Sequence, residues 1–291
     1  MAKLIFGCGY LGHRVAKLWR AAGHEVVAVT RSPETAETFR SEGFTPLVAD
    51  LLNPGSLTSI SQLPAIDTVL FAVGFDRTAG RSIHEVYVHG LARVLGVLPD
   101  TANRFVYISS TGVYGQTSSD WVDETSPCQP TREGGKACLA AEQLLMQSPL
   151  ADRAVILRLA GIYGPCRIPR ARDLQAGLPV DAPSQGYLNL IHVDDAAQIV
   201  LAAEARAKPP KLYTVSDGQP AVRADYYAEL ARLLGAPAPR FIEPEPASPA
   251  ALRASSDKRV ANTQLMRDLA PTFRYPSYRE GLAAIVGEVQ N

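Results

Sequence analysis

Gly7, Gly9 and Gly12, in the stretch KLIFGCGYLG, follow a short apolar run and open a helical pattern. Glycines at this spacing can hold a pyrophosphate. Gly7 lets the chain turn through backbone angles closed to other residues, Gly9 lets an anion reach the main chain without meeting a Cβ, and Gly12 lets helix and strand pack closely. Tyr10 and Leu11, inside the loop, bring main-chain N–H groups and the positive end of the helix toward the same anion.

Other residues extend this chemistry along the chain. The second β-branched run, EVVAVT at 25–30, ends in Arg31-Ser32 where an acid would accept hydrogen bonds from a ribose 2′-hydroxyl. A guanidinium and a hydroxyl at that point suit the 2′-phosphate of NADP better than NAD. Asp50-Leu51 follows a third strand, where the acid can accept from an adenine amino group and the next N–H can meet a ring nitrogen. Val73-Gly74 follows a fourth strand and offers a surface with little side chain on which the cofactor can lie. Ser109-Ser110-Thr111 ends a fifth strand, RFVYIS at 104–109, and brings hydroxyl groups to the same side.

Strands and helices must alternate to bring these strand ends together, and they do so as far as residue 165. Apolar positions at helical spacing mark helices after Gly12, over 33–42, over 84–98 and over 131–146, with strands between them. The expected fold is α/β, a doubly wound parallel Rossmann sheet with a small C-terminal substrate lobe. Residues 1–165, with 190–217 returning, are expected in the dinucleotide-binding domain, and 166–189 and 218–291 mostly in the lobe. The 291 residues carry 29 basic and 29 acidic side chains, so net charge gives no attraction to nucleic acid or an anionic membrane surface. No apolar run is long enough to span a membrane. The four cysteines are scattered with no metal-ligand spacing, so no metal is expected, and reduced thiols point to the cytoplasm.

With these segments in place, the chain resembles an atypical extended short-chain dehydrogenase/reductase of the NAD-dependent epimerase/dehydratase type. The resemblance runs nearly end to end, through GCGYLG at 7–12, ADL at 49–51, YISSTGVYG at 107–115, LRLAGIYGP at 157–165, LIHVDDAA at 190–197 and LYTVSDGQP at 212–220. It implies an NAD(P)-dependent oxidoreductase or epimerase acting on a small molecule, either a nucleotide-sugar or another carbonyl compound. It also implies a possible homodimer formed through the helices at 84–98 and 131–146. Ser110 falls where the family orients the substrate oxygen, and Lys136 where it binds the nicotinamide ribose and lowers the pKa of a YxxxK tyrosine. The tyrosine position holds Arg132, which stays protonated far above neutral pH and cannot act as an acid or base. Tyr87, in YVHG where the family carries an asparagine, is the substitute that the resemblance suggests. Without a tyrosine, the alternative reading is a non-catalytic NADP-binding sensor or regulatory protein.

Overall fold

Runs of four to seven mostly apolar residues form the strands of one seven-stranded sheet. They are β1 (Ala2–Phe6), β2 (Val26–Thr30), β3 (Thr45–Val48), β4 (Ile66–Phe71), β5 (Arg104–Ser110), β6 (Ala154–Leu159) and β7 (Lys211–Val215). In β1 and β6 every residue is buried, as expected for strands covered on both faces. The computed structural model describes residues 2–63, 65–99, 101–246 and 248–290.

The spatial order is β7-β6-β5-β4-β1-β2-β3, and the pairs β1–β2, β2–β3, β1–β4 and β4–β5 are parallel. The chain runs outward from β1 to β3, then returns across β1 to continue through β4. The order therefore reverses between β1 and β4, and a crevice opens at their carboxyl ends.

Helices α1 (Gly12–Ala21), α2 (Pro33–Ser41), α3 (Gly90–Val97), α4 (Glu133–Met146) and α5 (Val193–Arg206) follow the apolar periodicity. Helix α1 buries Val15, Ala16 and Trp19. The helix expected over 84–98 begins instead as a π-helical turn, Glu85–His89, which carries Tyr87. Helix α4 starts at Glu133, so Arg132 lies just outside it.

The chain divides into two compact units. Unit 1 comprises 1–113, 133–158 and 197–213. Phe6, Phe71, Phe105 and Tyr107 stack across its central strands. At the amino end of the sheet the buried Lys3 ammonium meets Asp67 at 2.5 Å and also Glu204, which accepts from Trp19 Nε1 at 2.6 Å. Near the other end Arg158 on β6 donates to Glu142 on α4 at 2.6 Å, and Ser109 on β5 donates to the same carboxylate at 2.5 Å. This buried triad locks α4 to the sheet.

Unit 2 comprises 114–132, 159–196 and 214–291. Short strands hold it together. Gly161–Tyr163 pairs with Leu190–His192, Asp120–Val122 with Lys258–Val260, and Tyr187–Leu188 with Ala221–Val222. Tyr163, Leu174, Val180, Tyr226, Leu230 and Leu282 form its core. Residues 114–132, 159–165 and 190–196, expected with the dinucleotide-binding domain, fall in unit 2, where the strand 120–122 pairs with 258–260 and 161–163 with 190–192.

Candidate functional site

An open cleft of about 250 Å³ lies in unit 1, at the carboxyl ends of β1, β2, β3 and β4. Three glycines shape its floor in three ways. Gly7 has φ +88°, and a Cβ there would lie 2.4 Å from the Ala72 carbonyl, so loop and β4 exit touch through their main chains. Gly12 would place a Cβ 2.3 Å from the Gly7 oxygen, which makes it the helix-to-loop packing residue. A Cβ on Gly9 would meet nothing within 4 Å. Gly9 therefore presents bare backbone to the cleft, next to a helix whose N-terminus has no side-chain cap.

Of the expected cofactor residues, Gly7, Gly9, Arg31, Asp50, Leu51, Val73 and Gly74 line this cleft. Gly74 likewise leaves open space where a Cβ would sit. Asp50 accepts the Leu52 N–H at 2.9 Å and is thereby held in a tight turn. Leu11 and Gly12 are buried beneath the loop, and the Tyr10 ring packs on Arg14, whose guanidinium also donates to the Tyr10 carbonyl at 2.8 Å. Ser32 is the N-cap of α2. Its hydroxyl accepts from Thr35 N–H at 3.0 Å and donates to Glu34 at 2.6 Å, so the helix already uses the group expected to meet a phosphate.

Sequence reasoning missed several lining residues, among them Cys8, Thr35 and Asp76. Burial, reinforced by the Glu42 carboxylate, pushes the Cys8 thiol up to about 12, so it stays neutral beside an anion. Asp76 sits 3.6 Å from the half-exposed Arg31 guanidinium at the cleft rim. Hydrogen bonds from Thr78, then the Arg31 charge, hold its carboxyl below the ordinary range. The signal for it was an acid two residues beyond Gly74, after the fourth strand.

The motif residues lie apart from the cleft lining. Ser110 ends β5 and accepts the Gly112 N–H at 3.0 Å, whereas Ser109 points to the opposite face and into the Glu142–Arg158 triad. Lys136 is more than half exposed, with its ammonium on Glu133 at 2.8 Å. Burial, with Cys138 nearby, pushes the Tyr87 phenol up to about 12, while a hydrogen bond from the Phe75 main chain acts the other way. Tyr87 is therefore a neutral phenol throughout the physiological range.

In unit 2, Tyr114 donates to the Asp123 carbonyl at 2.7 Å and Tyr163 to the Ser277 carbonyl at 3.3 Å, both structural contacts. His192 packs 3.9 Å from the Tyr275 ring and accepts the Asp194 N–H at 3.2 Å; Asp195 accepts from Arg274 and Tyr275 N–H groups. Arg132 has the buried Lys258 as a charged neighbour. Asp217 keeps one buried carboxylate oxygen without a hydrogen-bond partner among the described residues, and burial raises its carboxyl to about 7. Among the described residues no cluster could hold a metal ion, and no helix is long and apolar enough to cross a membrane.

The model of the NAD dependent epimerase/dehydratase family matches residues 4–216. Protein YeeZ of Escherichia coli K12 is 25% identical over 94% of this chain and 95% of its own. A 3-diazoavenalumate denitrifying reductase from a Streptomyces species is 27% identical over 97% and 99%. Among solved structures, a functionally unknown conserved protein from Silicibacter pomeroyi superposes with a TM-score of 0.79 at 30% identity, over 99% of this chain and 98% of that one. The UDP-glucose 4-epimerase of Bifidobacterium longum, in complex with NAD+ and UDP, shares the fold at TM-score 0.80 and 17% identity, over 100% and 99% of the two chains. The glycine loop, the switch-point cleft and the matched family model lead to one conclusion: this chain belongs to the NAD dependent epimerase/dehydratase family.

Proposed function

We propose that the unit 1 cleft binds a nicotinamide dinucleotide, NADP in preference to NAD, and that the chain is a reductase whose hydride acceptor needs no proton from a tyrosine. The observation that carries this reading is the intact glycine cradle, and Arg132, where the resemblance leads one to expect the YxxxK tyrosine, supports an acceptor that needs no such proton. Arg31 at the rim supports NADP, since a 2′-phosphate is a stronger partner for a guanidinium than the half-exposed Asp76 carboxylate. Ser110 orients the acceptor, and Lys136 leaves Glu133 to hold the nicotinamide ribose.

Reduction of a carbonyl consumes a hydride and a proton, and the proton needs a donor. Replacement of a leaving group by hydride does not. When dinitrogen leaves a diazonium carbon it takes the C–N bonding pair, the hydride supplies the new C–H bond, and the dinucleotide is oxidised with no proton taken up. The Streptomyces relative, named as a denitrifying reductase of a diazo compound, supports an acceptor of this class.

The test follows NADPH oxidation with an arenediazonium carboxylate, a set of aldehydes and ketones, and UDP-glucose, against enzyme-free blanks. The diazonium compound should be reduced with release of dinitrogen, and Ser110→Ala and Lys136→Ala should each slow that rate. Turnover of carbonyl compounds with the diazonium inert would refute the proton-free reading. Tight NADPH binding with no turnover of any compound would favour a non-catalytic NADP-binding sensor instead.

A further inference from the structure

Strand alternation in Lys258–Val260 turns Lys258 and Val260 inward and leaves Arg259 half-buried at the surface of unit 2. Its guanidinium lies over two aromatic rings, Trp121 at 5.0 Å and Tyr187 at 5.3 Å, and its Nε donates to the Ser119 carbonyl at 2.8 Å. The group is thereby fixed in place. Both of its Nη groups nevertheless have no acceptor among the described residues, and Arg259 forms no ion pair there.

The walls that hold Arg259 are themselves held. Ser119 sits in the left-handed region at φ 60°, a conformation that is costly for a residue with a side chain and that recurs at ligand clamps. Asp257 keeps it there: the carboxylate accepts the Ser119 hydroxyl at 2.6 Å, and the Asp257 carbonyl accepts the Ser119 N–H at 3.0 Å. The other carboxylate oxygen accepts the Tyr187 N–H at 2.9 Å. Gly186, at φ +88°, permits this approach, because a Cβ there would lie 3.2 Å from that oxygen. Asp257 thus uses both oxygens on the walls and neither on Arg259, while its charge favours the ammonium of the buried Lys258. Beside the free fork, Trp121 is 52% exposed. A stacked guanidinium keeps its planar fork open to a carboxylate or phosphate, and an exposed indole adds a ring surface that a bare ion would not use. We infer that Arg259 and Trp121 form a binding site in unit 2 for an oxyanion carried on a planar ring, an arene carboxylate or an aryl phosphate. Arg259 meets the oxyanion, Trp121 meets the ring, and Ser119, Tyr187 and Asp257 position them. This site stands independently of dinucleotide binding or hydride transfer in the unit 1 cleft.

The chain has two tryptophans and Trp19 is buried, so the part of the emission that Trp121→Phe removes reports on this site. The full chain is titrated separately with benzoate, phenyl phosphate, inorganic phosphate and benzyl alcohol at constant ionic strength, with chloride as control. Benzoate or phenyl phosphate should change the Trp121 emission saturably, and the stronger of the two identifies the preferred oxyanion. Inorganic phosphate and benzyl alcohol, each offering half of the contacts, should bind at least about tenfold more weakly. Arg259→Lys, which keeps the charge and loses the fork, should weaken the preferred ligand about tenfold. No saturable change with either ring-bearing oxyanion, an equal response to chloride or benzyl alcohol, or unchanged affinity in Arg259→Lys would overturn the inference. Should Arg259→Lys fold poorly, Trp121→Ala alters an exposed position and should weaken the same ligand in calorimetric titration; an unchanged affinity there would equally overturn it. Because the readout is local and needs neither cofactor nor turnover, its failure is distinct from failure of the reductase reading.

Discussion

The unit 1 cleft and the core of unit 2 are built on opposite plans. The cleft is made of backbone: Gly7 touches Ala72 through the main chain, Gly12 touches Gly7, and Gly9 and Gly74 leave space. The core of unit 2 is made of side chains: Tyr163, Tyr226, Leu230 and Leu282 pack together from segments far apart in the chain. A backbone cradle tolerates change in most side chains around it, so the ligand class can persist through a family while the chemistry beside it changes.

The sharpest way to break this comparison is to put a side chain into the backbone cradle. Gly9→Val should fold normally, because its Cβ has open space, yet weaken NADPH binding roughly 100-fold, about 2.7 kcal/mol. Gly12→Val should do the reverse at first reading, losing about 2 kcal/mol or more of stability by overpacking against the Gly7 oxygen. Calorimetric titration and urea unfolding on both variants check the pair. If Gly9→Val binds NADPH like wild type, the anion does not approach where Gly9 lies bare.

A smaller effect is expected at the rim. Arg31→Asp should weaken NADPH about tenfold and leave NADH unchanged or improved, whereas Asp76→Asn should strengthen NADPH a few-fold by releasing Arg31. Equal losses for both cofactors in Arg31→Asp would remove Arg31 as the reader of the 2′-phosphate.

A separate effect concerns unit 2 and pH. Burial raises the Asp217 carboxyl from 3.8 to about 7 in the folded protein, against an ordinary value once unfolded. The folded state therefore keeps a proton that the unfolded state gives up. Its contribution is most favourable below about pH 4 and is lost progressively as pH rises to about 7. Asp217→Asn should flatten that part of the stability profile in urea midpoints measured at pH 5 and pH 8. An unchanged slope would mean that Asp217 is ionised in the folded protein.

The contrast also explains what was legible in the sequence. Gly7, Gly9 and Gly12 could be read because each glycine answers a local backbone demand within one strand–turn–helix, and the alternation of strands and helices fixes where that turn lies. Asp50 and Val73-Gly74 were legible for the same reason, being strand-end positions. Ser32 carries two readings in the sequence, since a hydroxyl before Pro33 is also a helix cap, and the structure shows the cap. Asp76 carried only the signal of an acid two residues beyond Gly74, and its pairing with Arg31, which is brought near by the fold, is recorded by no periodicity or spacing. The strand pairings inside unit 2 were not legible for a related reason, since strands of two or three residues such as Asp120–Val122 carry too short a pattern to announce their partners.

Calorimetric titration of the unmodified protein with NADPH and with NADH tests the central claim most directly. NADPH should bind at one site per chain and about tenfold more tightly than NADH, a difference of about 1.4 kcal/mol. Binding of neither cofactor, or tighter binding of NADH, would contradict the assignment of the glycine cleft as an NADP site.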